Sequence, residues 1–185
     1  MHRLAIAAAL LLPSLALAKD LTPGTFTISG GAGAAYSSIT SSASGFQDLK
    51  TTSTQAQASA RWFVNPTLAI GGTFQLQRSR QESGGQSESS STMFIGPALR
   101  AHLPIAPNAD VIFDAGLALA KAERAGTSAD GVAWHVGAGV AWFPIDAVSL
   151  DAGLTFQSVR YDVSGVTTTN EGLNLGAGFT VYFGR

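Results

Sequence analysis

Four charged residues and two histidines are the side chains of this protein that are best suited to ion pairing or catalysis. Two cations and two anions that point into one narrow interior would form a neutral ion-pair network, because an unpaired buried charge costs several kcal/mol. A histidine next to a serine and an acid could instead activate a nucleophile. The charged residues are Arg61, Arg100, Asp114 and Asp151, and the histidines are His102 and His135.

These residues belong to segments in which polar and apolar side chains alternate. In residues 58–77, for example, the even positions include Trp62 and the odd positions include Arg61. A period of two is typical of β-strands, and Asn65-Pro66 in the middle of the segment predicts a tight reversal. Eight such segments are predicted as strands, and no amphipathic helix is predicted. They cover approximately residues 25–36, 51–63, 67–79, 91–103, 110–122, 132–143, 148–158 and 172–183.

Each predicted strand has one apolar face and one face of small or polar residues. The strands are about as long as the roughly 9 to 11 residues that cross a bilayer when tilted. In a small closed barrel of such strands, the apolar face contacts lipid and the small and polar face fills the lumen. Closure is required because an open edge in hydrocarbon would leave backbone groups unpaired.

The connections between the predicted strands alternate between two kinds. Tight connections rich in turn-forming residues are predicted at 64–67, 104–109 and 144–147. Long connections rich in Ser, Thr and Gly are predicted at 37–50, 80–91, 123–131 and 159–171. Short turns on one rim and long polar loops on the other are typical of bacterial outer-membrane barrels, with the turns in the periplasm and the loops outside.

The first 18 residues have the features of a secretory signal peptide. A basic start with Arg3 precedes an apolar run, and Ala16-Leu17-Ala18 matches the small-x-small pattern of a cleavage site. A membrane anchor is the alternative, but the apolar run is short and interrupted by Pro13. We therefore expect an exported mature chain, residues 19–185, that forms one barrel domain.

The composition also fits a protein whose outer surface contacts lipid. Charged residues make up 12% of the chain, about half of the roughly 25% that is usual for globular proteins. The formal net charge is −1, so no basic surface suggests nucleic-acid binding. The chain has no cysteine, which excludes only small disulfide-stapled scaffolds. No metal-ligand spacing, phosphate loop or nucleotide fingerprint occurs, so no cofactor is expected.

Two hairpins carry a resemblance to a known family. The stretches "ARWFVNPTLAIGGTFQ" and "VAWFPIDAVSLDAGLTFQ" each contain an aromatic pair, a turn and an alternating return strand. Together with the rest of the mature chain they resemble the OmpA/OmpX/OmpW-like outer-membrane β-barrel domain of Gram-negative bacteria. The resemblance implies an all-β, eight-stranded antiparallel up-and-down barrel. It also implies insertion by the barrel-assembly machinery, which reads a terminal aromatic residue in family members, whereas here Gly184 and Arg185 follow Phe183.

The expected role is a non-catalytic one in envelope structure or surface interaction. The protein is expected to be a monomer whose lumen is plugged by polar side chains. A narrow channel, a lipid-modifying enzyme and a soluble lipocalin-type barrel are the alternatives. No Ser-His-acid spacing lies on one lipid-facing patch, so His102 and His135 are interpreted as satisfied lumen residues. The extracellular ligand of the loops is not specified by any motif.

Three sets of side chains are assigned positions. Arg61, Arg100, Asp114 and Asp151 are predicted to form an ion-pair network near the periplasmic end, with Arg100 opposite Asp114 when counted from the 104–109 turn. Aromatic residues prefer the headgroup level of a bilayer, which predicts girdles of Tyr36, Trp62, Trp134 and Trp142. Basic residues just beyond the hydrocarbon on the loop side are predicted to contact lipopolysaccharide phosphates. These are Arg78, Arg80 and Lys121.

Overall fold

Eight antiparallel strands form a closed barrel in the computed structural model, which describes residues 21–39, 49–83, 86–124, 127–163 and 166–184. Each strand pairs with the next along the chain, and the ring closes between the first strand and the eighth. The predicted signal peptide lies outside the described residues. The strands are β1 (Phe26–Ile39), β2 (Leu49–Asn65), β3 (Leu68–Ser83), β4 (Gln86–Ala106), β5 (Ala109–Arg124), β6 (Thr127–Ile145), β7 (Val148–Val163) and β8 (Val166–Phe183).

The eight predicted strands and their order are confirmed, but several strands are longer than predicted. β3 ends at Ser83 and β4 begins at Gln86, so most of the segment 80–91 is strand rather than loop. The segments 123–131 and 159–171 are likewise mostly strand. Apart from residues 159–163, these extensions are mostly polar on both faces, so little alternation marks them in the sequence, yet the backbone ladder continues through them. They therefore form hairpins that continue the barrel wall.

Three tight turns define one rim, which we call the turn end, and the opposite rim is the loop end. The register shifts next to each turn, at Phe63/Asn65, Pro104/Ala106 and Trp142/Ile145. Such bulges increase the local twist of a strand and are common at barrel rims. In the first turn the Asn65 side chain accepts hydrogen bonds from the backbone N–H groups of Thr67 and Leu68, at 2.9 and 2.8 Å.

The residues before β1 fold back across the turn end. Thr22–Thr25 form a turn that is closed by a 3.1 Å hydrogen bond from the last backbone N–H to the first carbonyl. Its Pro-Gly centre suits a type II turn, and Gly24 has the positive φ of 90° that the third position requires. The Gly24 N–H also donates to the Phe63 carbonyl at 2.8 Å. This turn places Leu21 among buried aromatic side chains at the mouth of the barrel.

The outer surface of the barrel is a belt of exposed apolar side chains. Large examples lie on every strand, including Leu119, Leu175 and Ile95, each more than half exposed. In water such a continuous patch would be rare on a monomer. In the described part of the chain there is no helix long and apolar enough to cross a membrane.

Two apolar clusters lie at the ends of the lumen. Their bulky side chains were not part of the prediction that small and polar residues fill it, although the turn end also contains the buried polar residues His102 and Asp110. An eight-stranded barrel is narrow enough for side chains to fill, and bulky rings fill the ends. The turn-end seal consists of Leu21, Phe63, Ala69, Ile112, Ala141, Phe143 and Tyr182. The loop-end cluster consists of Phe94, Ala118, Ala120, Ala133 and Val159, with Tyr161 packed against it.

Candidate functional site

The predicted charged residues lie together directly above the turn-end seal. Arg100 Nε donates to Asp114 Oδ1 at 2.9 Å, and Arg100 Nη1 donates to Asp151 Oδ2 at 2.6 Å. Arg61 Nη2 donates to the same Asp114 oxygen at 3.2 Å. The two cations and two anions therefore form one connected, formally neutral network across four strands.

The strand register explains why these side chains meet. Arg100 and Asp114 are direct partners on β4 and β5, and both face inward. The other contacts cross the lumen, and glycines beside the charged residues let the backbones of adjacent strands approach closely. A Cβ at Gly71, for example, would collide with the Ala60 carbonyl and the backbone of Arg61. Three of the charged residues have a glycine as their partner on a neighbouring strand: Arg61 with Gly71, Asp114 with Gly137 and Asp151 with Gly178.

Hydroxyl groups complete most of the network. Asp151 accepts hydrogen bonds from Ser149 Oγ at 2.6 Å and from Thr180 Oγ1 at 2.7 Å. Arg61 Nη1 donates to Ser59 Oγ at 2.7 Å. Arg61 Nε is different, because it is buried and has no hydrogen-bond partner among the described protein atoms. Charge-assisted bonds of this kind are short and strong, so the arrangement holds the inner faces of the strands at fixed distances.

A buried His–Asp pair, within the turn-end seal, was not predicted. His102 Nδ1 lies 2.9 Å from Asp110 Oδ2, and both side chains are almost fully buried. The His102 ring packs 5.3 Å from the ring of Phe63. Asp110 and Asp114 are four residues apart on β5, so their side chains point to the same side of the strand. Strand alternation could therefore have identified Asp110 as an inward-facing acid.

The buried hydroxyl group of Ser149 is directed toward a carboxylate. It donates to Asp151 Oδ1 at 2.6 Å and lies 3.2 Å from the Tyr182 hydroxyl oxygen. A catalytic serine would instead direct its proton to the histidine. His135 lies on β6, and its ring packs over Gly116 of β5.

Above the charged network the lumen contains a polar cavity of about 80 Å³, which we call the chamber. Amide side chains from three strands cross it: Gln75 Nε2 donates to Gln55 Oε1 at 3.0 Å and to Gln157 Oε1 at 3.5 Å. Arg61 and His135 also line the chamber. No group of three or more His, Asp or Glu residues suited to a metal ion occurs among the residues that the structure describes.

The tryptophans lie on the outer surface at two levels. Trp62 and Trp142 are exposed near the turn end, and the ring of Trp62 packs 5.0 Å from that of Phe26. Trp134 precedes Trp142 by eight residues on β6, which is about 26 Å along the strand and about 20 Å along the axis of a barrel with 40° tilt. The side chain of Tyr36 lies outside the described part of the structure.

The predicted basic residues project from the outer surface near the loop end. Arg78, Arg80 and Lys121 are all exposed. Acidic residues accompany them: Arg80 Nε lies 3.0 Å from Glu82 Oε1, and Asp130 is the strand partner of Lys121. The rim is therefore a mixed-charge collar rather than a purely basic one.

Comparison with known proteins agrees with this architecture. The family model described as "Outer membrane protein beta-barrel domain" matches residues 4–180. The chain belongs to this family. It is thus a Gram-negative outer-membrane β-barrel, surrounded by lipid and lipopolysaccharide, with its turn end in the periplasm and its loop end outside.

Several solved structures share the fold. Neisserial surface protein A is 19% identical, with a TM-score of 0.56 over 86% of this chain and 97% of that chain. The outer membrane protein OprG from Pseudomonas aeruginosa is 10% identical, with a TM-score of 0.56 over 91% of this chain and 100% of that chain. The outer membrane enzyme PagL is 14% identical, with a TM-score of 0.45 over 83% and 97% of the two chains. No curated protein sequence matches the chain.

Proposed function

We propose that this protein is a closed, non-catalytic barrel that serves in envelope structure or in surface interaction through its extracellular hairpins. The observation that carries the proposal is the turn-end seal. Phe63, Phe143 and Tyr182 are each less than 5% exposed and fill the periplasmic mouth together with the buried Leu21. A pore that passed ions would need a hydrated path through this layer, and packed rings exclude water.

The charged network supports the same proposal. Its members bind one another and neighbouring hydroxyl groups, so they hold the lumen together more readily than they would line a conduction path. Neutral buried networks need nearly complete pairing to be tolerated, and Arg100 meets that condition with bonds to both carboxylates. We expect this network to be structural.

A narrow channel is the second candidate, and the chamber is the observation that favours it. The middle of the lumen is polar and has space, so only the turn-end seal separates the chamber from the periplasm. A lipid-modifying enzyme is the weaker alternative, since Ser149 directs its proton to Asp151.

Planar-bilayer recording of the purified protein tests the proposal against the channel. We expect no defined conductance steps from the wild-type protein, and steps that appear after Phe63→Ala would locate the barrier in the seal. Steps from the wild-type protein would reject the proposal.

Mass spectrometry of lipid A from cells with and without the protein tests the enzyme, because a change in acyl composition would contradict a non-catalytic role. A binding screen with the extracellular hairpins would then seek the surface partner.

We further propose that Arg78, Arg80 and Lys121 contact lipopolysaccharide phosphates. Their exposure and position near the loop end support this, since Arg offers a bidentate donor fork and Lys a point charge. The neighbouring acids Glu82 and Asp130 reduce the net positive charge at this level. We therefore expect these contacts to be modest and sensitive to salt.

A further inference from the structure

Arg61 is the member of the charged network whose hydrogen bonding is incomplete. Its side chain is 5% exposed, and Nε has no hydrogen-bond partner among the described protein atoms. Its other bonds go to Ser59 and to an Asp114 oxygen that Arg100 shares. Leaving a buried charged donor unpaired is costly, so the structure calls for an acceptor beside Nε.

The chamber is the space beside Arg61 in which such an acceptor could lie. Its volume is about 80 Å³, and Arg61 is one of its lining residues. Several other lining groups can both donate and accept, including the amides of Gln55, Gln75 and Gln157. A cavity needs roughly 10–15 Å³ open to water to hold one molecule, and a buried water needs two to four polar partners. The chamber therefore has the size and chemistry for several waters.

The charges around the chamber favour a neutral occupant over an ion. Arg61 and Arg100 are balanced by Asp114 and Asp151, so the network has no formal excess charge to offset an added anion. A bound anion would then be an uncompensated charge in a low-dielectric interior, which is strongly unfavourable. Protonation of His135, which also lines the chamber, would be needed to neutralise it.

We propose that the chamber is a binding site for a small cluster of ordered waters, one of which accepts a hydrogen bond from Arg61 Nε. The site concerns the lumen and does not depend on what the extracellular hairpins bind. The turn-end seal lies one inward-facing position below the network, since Phe63 precedes Asn65 and follows Arg61 by two residues. Because the seal fills the periplasmic mouth and the loop-end cluster fills the opposite end, the waters should exchange slowly with bulk water.

Two glycines give a matched pair of variants for the test. Gly176 lines the chamber, and a Cβ built there has no neighbour closer than 3.6 Å, so the backbone leaves room for a side chain to start into the space. Gly72 is exposed on the outer face of β3, and a Cβ there has no neighbour closer than 3.7 Å. Gly176→Leu should displace the waters, whereas Gly72→Leu adds the same group on the lipid side.

The readout is water-to-protein magnetisation transfer in NMR spectra of the folded barrel in micelles. We expect cross-peaks from long-lived water to Arg61 Nε–H and to amides lining the chamber in the wild type and in Gly72→Leu. In Gly176→Leu we expect those cross-peaks to fall at least several-fold, and Gly176→Ala, with a single methyl group, provides a milder version if the larger residue prevents folding. Folding of each variant is checked by its shift between unheated and boiled gel samples.

Three results would overturn the proposal. Absence of long-lived water signals at Arg61 Nε–H in the wild type, or their persistence at full intensity in Gly176→Leu, would place the acceptor elsewhere. A saturable shift of the Arg61 Nε–H resonance on titration with sodium bromide, at constant ionic strength set with sodium sulfate, would assign the chamber to a monovalent anion instead of water.

Discussion

Two salt bridges of nearly equal length lie in very different parts of this barrel. Arg100–Asp114 spans 2.9 Å in the lumen, where the side chains are 9% and 19% exposed. Arg80–Glu82 spans 3.0 Å on the extracellular rim, where they are 61% and 53% exposed. Exposed pairs are typically worth at most about 1 kcal/mol, whereas breaking a buried pair costs roughly 3–5 kcal/mol. Burial, rather than distance, therefore decides which of the two holds the barrel together.

The largest effect should come from removing a shared acceptor in the lumen. Asp114→Ala leaves both Arg100 and Arg61 without this carboxylate, so we expect a loss of about 3–5 kcal/mol in the free energy of unfolding. Urea titration of the refolded barrel in lipid vesicles measures it. Glu82→Ala is the control on the rim, and equal costs for the two variants would remove the distinction between the regions.

Removal of an aromatic ring from the turn-end seal should cause the second-largest loss in the free energy of unfolding. Phe63→Ala removes a ring that packs 5.3 Å from His102 and 6.3 Å from Tyr182, and we expect it to cost about 3 kcal/mol, the lower end for a buried phenylalanine, because water can enter from the periplasm. The same urea titration applies. Phe74→Ala, on the lipid-exposed face of β3, should cost clearly less, and a cost as large as that of Phe63→Ala would argue against a packed seal.

Much of this lumen can be anticipated from strand alternation, but the contacts across it cannot. Counting from the 104–109 turn places Arg100 opposite Asp114, and the register pairs these two residues. Phe63 is two residues from Arg61 and Phe94 is six residues from Arg100, so alternation also places both rings in the lumen. Contacts across the lumen, such as Arg100–Asp151, depend on barrel closure and stagger, which alternation within one strand does not encode.

The strand ends at the loop end are harder to predict from the sequence, for a different reason. Outside the bilayer both faces of a hairpin contact water, so residues such as Ser87, Ser89 and Ser91 leave no period of two to detect. The structure continues β4 through all three residues. Hairpin extension beyond the membrane is therefore determined by the backbone ladder with the neighbouring strand rather than by side-chain patterning.

The tryptophans allow the two membrane interfaces to be compared. Trp62 and Trp142 should lie at the periplasmic headgroup level and Trp134 toward the opposite interface, because indole rings prefer that depth. In single-tryptophan variants, fluorescence quenching by lipids brominated near the headgroup should exceed quenching by lipids brominated near the chain ends. Strongest quenching of Trp62 from the bilayer centre would contradict this placement.

The smallest effects on stability should come from the rim. Replacing Arg78, Arg80 and Lys121 together with Gln should change the free energy of unfolding by no more than about 1 kcal/mol, while reducing the lipopolysaccharide that co-purifies with the barrel. Glu82→Gln is the matched control, because it breaks the Arg80 pair and leaves all three cations in place. Undiminished lipopolysaccharide in a folded triple variant would reject a role for these residues.

A double-mutant comparison tests most directly the claim that the lumen is held by a neutral, buried ion-pair network. Asp114→Val alone, Arg100→Met alone and the two together are unfolded with urea in the same vesicles. Because the double variant removes one charge of each sign and leaves Arg61 with Asp151, it should cost much less than either single variant, with a coupling of at least about 2 kcal/mol. A double variant that costs as much as the two single variants added together would show that Arg100 and Asp114 do not depend on one another, and would contradict the account.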